Sequence, residues 1–268
     1  SFFDTQQRLR GVRMVAGELM KGKQGIVLGV ANKRSIAWAI AQTLASQGAR
    51  LALTYQGERV EEYVRQLAQE LQDPLVLKCD VTKDDEIEAA MAAVESEFGH
   101  LDFIMHSVAY GELEPPVVAT SREAYLTSLE ISAYSLVAVT RQAADLMTTG
   151  GSIATMTYYG SEKVVPGYNV MGVAKATLEA SVRYLAHDMG PRGVRVNAVS
   201  AGPLNTLAAR SIPGFTKMRG MAAERSPLQR HVEVNEVANT ALFLLSDMAS
   251  GITGEVIYVD CGYHIMGM

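Results

Sequence analysis

Apolar residues in this chain occur in short runs that alternate with longer stretches in which they recur at helical spacing. The first run, residues 25–30, is almost continuously apolar, as expected for a strand of a parallel sheet that is buried on both faces. After a turn, apolar residues follow a helical pattern from Ile36 to Leu44, and Gly48 is well placed to end that helix. The opening therefore predicts a strand, a turn and a helix.

The same alternation continues to the end of the chain. Further strands are predicted at residues 50–55, 75–81, 101–106, 152–158, 194–199 and 255–260. Further helices are predicted at residues 59–71, through Met91 to near Gly99, at 122–147, from Tyr168 onward and at 236–245, with a looser region at 204–226. This order predicts one α/β domain, residues 22–268, with a Rossmann-like, doubly wound, seven-stranded parallel sheet flanked by helices. Residues 1–21 are predicted to be an N-terminal extension, and whether they form a flexible lead-in or part of a targeting segment stays open.

Composition excludes several classes of function. The chain has 268 residues, 48% apolar and 20% charged, with a formal charge of −5 and no long basic run. We therefore expect no nucleic-acid partner and no membrane partner, since no apolar run approaches the roughly 20 residues needed to span a bilayer. Cys79 and Cys261 are predicted to be buried, reduced thiols, and no metal site is predicted. These features favour a cytoplasmic location, with an organelle as the alternative.

The residues that follow the predicted strands carry the candidate chemistry, because ligands of open parallel sheets bind at the carboxyl ends of the strands. Gly29 lets the backbone approach a pyrophosphate, and Ser35 and Ile36 open a helix whose free N–H groups attract anions. A plain turn is the alternative, since the full glycine-rich pattern is absent. Ser107 and Val108, after the fourth strand, are small enough to let a flat ring pass close to the backbone.

The second and third strands end on residues suited to an adenosine. Gln56 stands where dinucleotide-binding folds often place an acidic residue on the ribose, and no basic residue follows immediately to bind a 2′-phosphate. This favours NADH over NADPH. Asp80 and Val81 are expected to contact the adenine edge, with helix capping as the alternative role of Asp80.

A tyrosine and a lysine, Tyr168 and Lys175, stand seven residues apart. If the helix starts at Tyr168, both lie on one face about two turns apart, and the ammonium is expected to lower the pKa of the phenol. Alone, this spacing is weak evidence for catalysis. Four strand ends suited to a cofactor strengthen it.

Several motifs together resemble the enoyl-acyl-carrier-protein reductases, a divergent branch of the short-chain dehydrogenases/reductases. They are Ser35-Ile36-Ala37-Trp38, Asp80-Val81, Tyr168-Asn169-Val170-Met171-Gly172-Val173-Ala174-Lys175, the segment from Arg195 to Pro203, and Gly251-Ile252-Thr253-Gly254-Glu255. The most specific is the tyrosine with six residues before the lysine, where ordinary members of the superfamily have three. Met171 then occupies the position of their tyrosine.

The resemblance implies reduction of a trans-2-enoyl thioester carried by acyl carrier protein, with NADH, as the last step of fatty-acid elongation. It implies that Tyr168 binds the thioester oxygen, that Lys175 holds the nicotinamide ribose, and that Tyr158 is the second active-site tyrosine, with Tyr159 structural. It also implies a homotetramer. Further implied cofactor contacts are Leu204, Asn205, Thr206, Leu207 and Ala208. Further implied substrate contacts are Gly111, Met171, Ile212, Phe215 and Met218, the last three from a lid after Pro203.

Three departures from the family pattern leave alternatives open. Asn205 replaces a usual arginine, the loop after Tyr110 is short, and Cys261 replaces a small residue. A reductase of the same superfamily acting on a carbonyl substrate is the first alternative. A dinucleotide-binding protein without catalysis is the second.

Overall fold

The protein is described by a computed structural model that covers residues 17–113, 115–210 and 214–267. The strands are β1 (Gln24–Leu28), β2 (Arg50–Tyr55), β3 (Leu75–Lys78), β4 (Phe103–His106), β5 (Gly151–Thr157), β6 (Val194–Ala201) and β7 (Val256–Val259). They form one sheet in the order β3-β2-β1-β4-β5-β6-β7, and each neighbouring pair is parallel. The predicted fold class is confirmed, with the strand order reversing between β1 and β4.

Helices cover both faces of this sheet. They are α1 (Ile36–Ser46), α2 (Glu58–Ala68), α3 (Asp84–Phe98), α4 (Arg122–Leu129), α5 (Ser135–Ala143), α6 (Val170–Met189), α7 (Leu207–Arg210), α8 (Phe215–Arg225) and α9 (Val234–Leu245). Buried side chains of α1, α2 and α9 form one core layer, and those of α3, α5 and α6 form the other. The sheet lies between the two layers.

The central strand β1 shows why the apolar runs are continuous. Val27 belongs to the first core layer, whereas Ile26 and Leu28 belong to the second, and all three are fully buried. Successive side chains of a strand point to opposite faces, so a strand covered on both sides needs apolar residues at every position.

The helix predicted at 122–147 is interrupted. A π-helical turn, Glu130–Tyr134, separates α4 from α5, and a 3₁₀ turn, Ala144–Leu146, follows α5. Three fully buried serines accompany the change: Ser128 and Ser135 donate hydrogen bonds to backbone carbonyls four residues earlier, while Ser132 turns to the loop after β4. Hydroxyl groups that bond to the helix backbone bend helices, which an apolar pattern does not reveal.

The region expected to be loose, residues 204–226, contains α7 and α8. Phe215 at the start of α8 is buried, and this apolar anchor allows the helix to pack despite its exposed remainder. Ile212, one of the predicted substrate contacts, lies outside the described residues.

The end of the predicted N-terminal extension packs on the domain. Met20 is buried, and its N–H donates to the carbonyl of Gln47 at 2.9 Å. Residues 1–16, the rest of the predicted extension, lie outside the described residues.

Both cysteines are free thiols, but only one is buried. Cys79, just after β3, is 4% exposed, whereas Cys261 is partly exposed in a turn after β7 with φ 59°. The expectation of two buried thiols is therefore wrong for Cys261, because the strand before it ends at Val259.

Candidate active site

A cavity of about 350 Å³ opens at the carboxyl ends of β1, β4, β5 and β6. Its wall includes both predicted catalytic tyrosines and the predicted lysine. The sequence-predicted residues that line it are Gly29, Ser35, Ile36, Ser107, Val108, Tyr158, Tyr168, Lys175, Leu204, Thr206, Leu207, Phe215 and Met218. Sequence reasoning did not single out Asn32, Thr157 or Pro203, which also line it.

The two cavity tyrosines pack against each other. The rings of Tyr158 and Tyr168 meet edge to face, with centroids 4.9 Å apart, and the Tyr158 hydroxyl donates to Sδ of Met218 at 3.5 Å. Gly160 makes the arrangement possible, because a Cβ there would come within 2.5 Å of the Tyr168 ring. The absence of one side chain thus brings the two phenols together.

Burial keeps both phenols protonated. It raises the pKa of Tyr158 to about 12 and raises the pKa of Tyr168 well above its ordinary value, with the neighbouring Tyr158 adding to the second effect. The expectation that Lys175 lowers the pKa of Tyr168 is wrong, because loss of hydration decides the sign. The cavity is therefore lined by two neutral phenols, each able to donate a hydrogen bond.

Lys175 is almost completely buried beside them. Its Nζ donates to the carbonyl of Met156, the penultimate residue of β5, at 2.9 Å. Burial lowers the pKa of Lys175 to about 8, and the carboxylate of Glu179 acts in the opposite direction. The ammonium is thus charged at neutral pH while close to its midpoint.

Glu179 is a further residue near the site that sequence reasoning missed. It is 6% exposed and accepts a hydrogen bond of 2.5 Å from Oγ1 of Thr157, which lines the cavity. Its position four residues after Lys175 would have indicated it, since such residues share one face of a helix.

Tyr168 lies before the helix, not in it. Helix α6 starts at Val170, and Asn169 between them has φ 44° and ψ −124°. The prediction that Tyr168 opens the helix is therefore wrong, because the backbone turns sharply at Asn169. Lys175 and Tyr168 reach the same cavity through this turn rather than through two turns of a regular helix.

The amino end of α6 lies unusually close to the turn after β5. Gly172 permits this approach, because a Cβ at that position would lie 2.7 Å from the carbonyl oxygen of Gly160. Tyr159 in the same turn points elsewhere: its ring meets those of Tyr258 and Tyr263 and does not line the cavity.

A second cavity, of about 370 Å³, continues the first towards β2 and β3. Gly29, Ala31, Ser107, Val108 and Ala109 line both cavities. Gln56 and Val81 line the second, as does the thiol-bearing Cys79, whose pKa burial raises to about 12. Within the part of the chain that the structure describes, no lysine and no arginine lines this second cavity.

Asp80 lines neither cavity. Its carboxylate accepts hydrogen bonds from the backbone N–H and the hydroxyl of Thr82, at 3.1 and 2.8 Å. Helix capping, the alternative role, is wrong, since Lys83 is the N-cap of α3, and contact with adenine stays a prediction. A polar turn after β3 accounts for this aspartate.

The point where β1 and β4 part has no room for a side chain. Gly29 has φ 94°, and a Cβ there would lie 2.0 Å from the carbonyl oxygen of Ser107. Next to it, α1 presents its amino end to the first cavity, and the Ser35 hydroxyl accepts from the N–H of Trp38. The N–H groups of Ile36 and Ala37 precede the first helical hydrogen bonds and remain available to an anion.

Some of the cofactor contacts predicted in the segment after β6 line the cavity, and others do not. The hydroxyl of Thr206 lines the cavity and accepts from the N–H of Ala209 at 3.0 Å. Asn205 is exposed, lines no cavity among those described and accepts from Nε of Arg210 at 2.8 Å. The backbone of Ala208 lies in α7.

Two predicted substrate contacts, Gly111 and Met171, touch each other but not the cavities. A Cβ at Gly111 would lie 2.4 Å from Sδ of Met171. Neither residue lines the first or the second cavity, because the loop after β4 packs down on the start of α6. Ser132 of the π-helical turn fixes this loop through the N–H and the carbonyl of Tyr110, at 2.8 and 2.7 Å.

A buried histidine supports the floor of the site. His106 lies 2.8 Å from Ser135 Oγ through Nε2 and 2.9 Å from Thr155 Oγ1 through Nδ1. Ser135 donates its only hydroxyl hydrogen to the carbonyl of Ile131, so its oxygen must accept the hydrogen bond from His106. Nε2 of His106 therefore carries the proton, and Nδ1 accepts a hydrogen bond from the hydroxyl of Thr155. Burial lowers the pKa of His106 to about 3, with the charge of Lys175 contributing.

Two negative observations bound the chemistry within the described part of the chain. No group of three or more histidine, cysteine, aspartate or glutamate side chains is arranged to hold a metal ion. Among the same residues, no helix has the length and apolar character required to cross a membrane.

Comparison with known proteins places this geometry in a family. Residues 29–264 match the family model described as Enoyl-(Acyl carrier protein) reductase. The enoyl-[acyl-carrier-protein] reductase [NADH] 1 of Rhizobium meliloti is 52% identical over 256 residues, covering 94% of each chain.

Solved structures agree with the sequence match. The enoyl-acyl-carrier-protein reductase of Anaplasma phagocytophilum, solved with NAD, superposes with a TM-score of 0.92 at 47% identity, covering 96% of this chain and 99% of that one. The Bacillus cereus enzyme, solved with NADP+ and indole naphthyridinone, gives 0.92 at 51% identity, covering 94% and 100%. The chain belongs to the enoyl-(acyl carrier protein) reductase family.

Proposed function

We propose that this protein reduces trans-2-enoyl thioesters of acyl carrier protein to saturated acyl thioesters with NADH, the last step of fatty-acid elongation. One observation carries the proposal: two protonated phenols and a buried ammonium line one cavity at the carboxyl edge of a dinucleotide-binding sheet.

The two joined cavities fit a dinucleotide. The second cavity, with Gln56 and Val81, would hold the adenosine, and the amino end of α1 with Thr206 would hold the pyrophosphate. Lys175, whose ammonium can bind hydroxyl groups, would hold the nicotinamide ribose. When bound, NADH supplies a hydride to the β-carbon of the enoyl thioester.

Tyr168 stabilises the charge that develops on the substrate. As the β-carbon gains a hydride, negative charge moves to the thioester oxygen, and a protonated phenol with a raised pKa donates a hydrogen bond to that oxygen without giving up its proton. Tyr158 packs against Tyr168 and limits its movement. A proton from solvent then adds to the α-carbon, which gives the saturated thioester.

The acyl chain lies against the apolar wall formed by Phe215 and Met218 of α8. Met218 also contacts the hydroxyl of Tyr158, so the helix that covers the substrate touches a catalytic side chain. Asn205, which together with the short loop after Tyr110 motivated a carbonyl reductase as the alternative, lines neither cavity and accepts a hydrogen bond from Arg210. The enoyl substrate is therefore the better match.

We further propose a homotetramer in the cytoplasm, with residues 22–268 as the catalytic domain. Leu126, Tyr134 and Tyr184 expose 55%, 46% and 74% of their surfaces along α4, the π-helical turn and α6, which supports a subunit contact on this side. Light scattering coupled to size-exclusion chromatography measures the mass directly, and a monomer at assay concentration would contradict the assembly.

The decisive experiment follows NADH consumption with trans-2-enoyl thioesters of several chain lengths, free of and bound to acyl carrier protein. We expect turnover, and we expect Lys175→Ala to weaken NADH binding. A panel of ketones run in parallel distinguishes the carbonyl reductase. NADH binding without oxidation by any enoyl thioester or any ketone would leave only the non-catalytic alternative.

A further inference from the structure

Asn169 has a backbone conformation that residues with a side chain rarely adopt. Its φ of 44° with ψ of −124° belongs to a region populated mainly by glycine. The strained residue lies directly between Tyr168, which lines the cavity, and the first residue of α6. Unfavourable backbone conformations persist where the surrounding structure holds them, and they concentrate at functional sites.

The side chain of Asn169 makes a hydrogen bond to a segment that is distant in the sequence. An asparagine before a helix usually accepts a hydrogen bond from the first turn, but Asn169 makes no such cap. Its Nδ2 instead donates to the carbonyl oxygen of Leu113 at 2.5 Å, a residue 56 positions earlier in the chain. The strained turn and this hydrogen bond therefore occur together.

The segment that Asn169 holds is the loop after β4, residues 107–113. Ser132 binds the N–H and carbonyl of Tyr110 from one side, and Gly111 packs on Met171. Asn169 secures the far end of the loop at Leu113. The backbone of Tyr168 is thus connected to a loop that borders both cavities at Ser107 and Val108.

We propose that Asn169 is a positioning residue that fixes the Tyr168 hydroxyl by tying its backbone to the loop after β4. The inference rests on the proposed role of Tyr168 at the thioester oxygen. Tyr168 has ring contacts with Tyr158 and Gly160 but follows a short turn, so its main-chain direction depends on Asn169. An oxyanion donor must be held closely, since displacement by about 1 Å costs on the order of 100-fold in rate.

Two variants distinguish loss of the hydrogen bond to Leu113 alone from loss of that hydrogen bond together with the backbone strain at Asn169. Asn169→Asp keeps the shape but places a carboxylate oxygen against the Leu113 carbonyl. Asn169→Gly removes the side chain while accepting the positive φ without strain. Asn239→Asp, on the exposed face of α9, makes the same change of charge away from the site and is the control.

We expect both Asn169 variants to lower kcat at least tenfold with an enoyl thioester, while the Kd for NADH changes less than twofold. The melting temperature of Asn169→Gly should equal or exceed that of the unmodified protein, because the strain is relieved. The activity of Asn169→Asp, relative to the unmodified protein, should recover as pH falls and the carboxyl gains a proton to donate to Leu113.

Three results would overturn the inference. They are an unchanged kcat in both variants, a parallel loss of kcat, NADH affinity and melting temperature, and an Asn169→Asp defect that acid does not relieve. The parallel loss would indicate a merely structural residue. Absence of enoyl reduction by the unmodified protein would instead contradict the proposed function, so the two failures are distinguishable.

Discussion

At the scale of single residues, burial decides the charge state of the site. The same loss of hydration raises the pKa of both cavity phenols and lowers the pKa of Lys175, because it disfavours whichever form is charged. The phenols therefore stay protonated at neutral pH. The lysine keeps its charge with the help of the Glu179 carboxylate one helical turn away.

Tyr168→Phe tests the hydrogen bond to the substrate. The substitution keeps the ring and its packing on Tyr158 but removes the donor, so kcat should fall about 100-fold or more, the usual cost of deleting an oxyanion donor. Steady-state kinetics with an enoyl thioester measures this loss. NADH affinity should be unchanged.

Tyr159→Phe is the matched control, since Tyr159 is the next tyrosine along the chain and lies outside the cavity. Equal activity losses in the two variants would contradict the assignment of Tyr168.

The charge of Lys175 predicts a pH dependence of cofactor binding. If the ammonium binds the cofactor, NADH affinity should be constant only well below pH 8 and should fall as pH rises through about 8, where Lys175 loses its proton. The Glu179 carboxylate raises this pKa, so Glu179→Gln should move the midpoint to lower pH. Titrations of NADH between pH 6 and 10 locate the two midpoints.

Glu95→Gln, at an exposed position of α3, is the control for loss of one carboxylate. A midpoint that Glu179→Gln leaves in place, or moves upward, would show that this carboxylate does not act on Lys175.

At the scale of elements, close packing between the turn after β5 and α6 brings the site together. Gly160 admits the Tyr168 ring, and Gly172 admits the Gly160 carbonyl. On the other side of the cavity, the π-helical turn aims Ser132 at the loop after β4, and such turns recur at functional sites. Two glycines at close contacts and an irregular helical turn thus set the position of Tyr168.

Gly172→Ala tests this contact between two elements. Alanine favours a helix over glycine by about 1 kcal/mol, but its Cβ would lie 2.7 Å from a backbone carbonyl that cannot easily move. Overpacking of this kind costs about 1–3 kcal/mol. We expect a lower free energy of unfolding in urea together with reduced kcat.

Gly190→Ala, at the other end of the same helix, meets open space and has no positive φ. It should leave stability unchanged or slightly increased, and a loss equal to that of Gly172→Ala would contradict the packing argument.

At the scale of the whole molecule, the parallel sheet gathers the residues that line the two cavities at the carboxyl ends of its strands. All strands present their carboxyl ends there, and the reversal of order between β1 and β4 opens the space in which the two cavities join. A dinucleotide bound in both cavities would therefore bridge the two halves of the sheet.

Cofactor binding should stabilise this whole arrangement. A ligand present at 100 times its Kd stabilises a folded protein by about 2.7 kcal/mol, so NADH should raise the melting temperature. NADPH at the same concentration should raise it less, because the described residues that form the wall around Gln56 include no lysine or arginine for a 2′-phosphate. Thermal unfolding with each cofactor measures the difference, and an equal or larger shift with NADPH would contradict the role of Gln56.

Much of the fold and part of the site followed from residue order. The alternation of apolar runs and helical spacing correctly predicted the seven-stranded sheet, and most of the predicted cavity residues line the same space. The helix at 122–147 and the placement of Gly111, Met171 and Asp80 were not predictable in this way. Local pattern does not report how buried serines bend a helix or how a loop packs on a distant helix.

The sequence alone determined the succession of buried strands and therefore which residues stand at their carboxyl ends, because burial on both faces imposes apolar residues at every strand position. Only the tertiary structure decided that Tyr168 lies before its helix, pairs with Tyr158 and keeps its proton. Those properties depend on the water excluded by neighbouring elements and on the turn at Asn169, and no single segment contains that information.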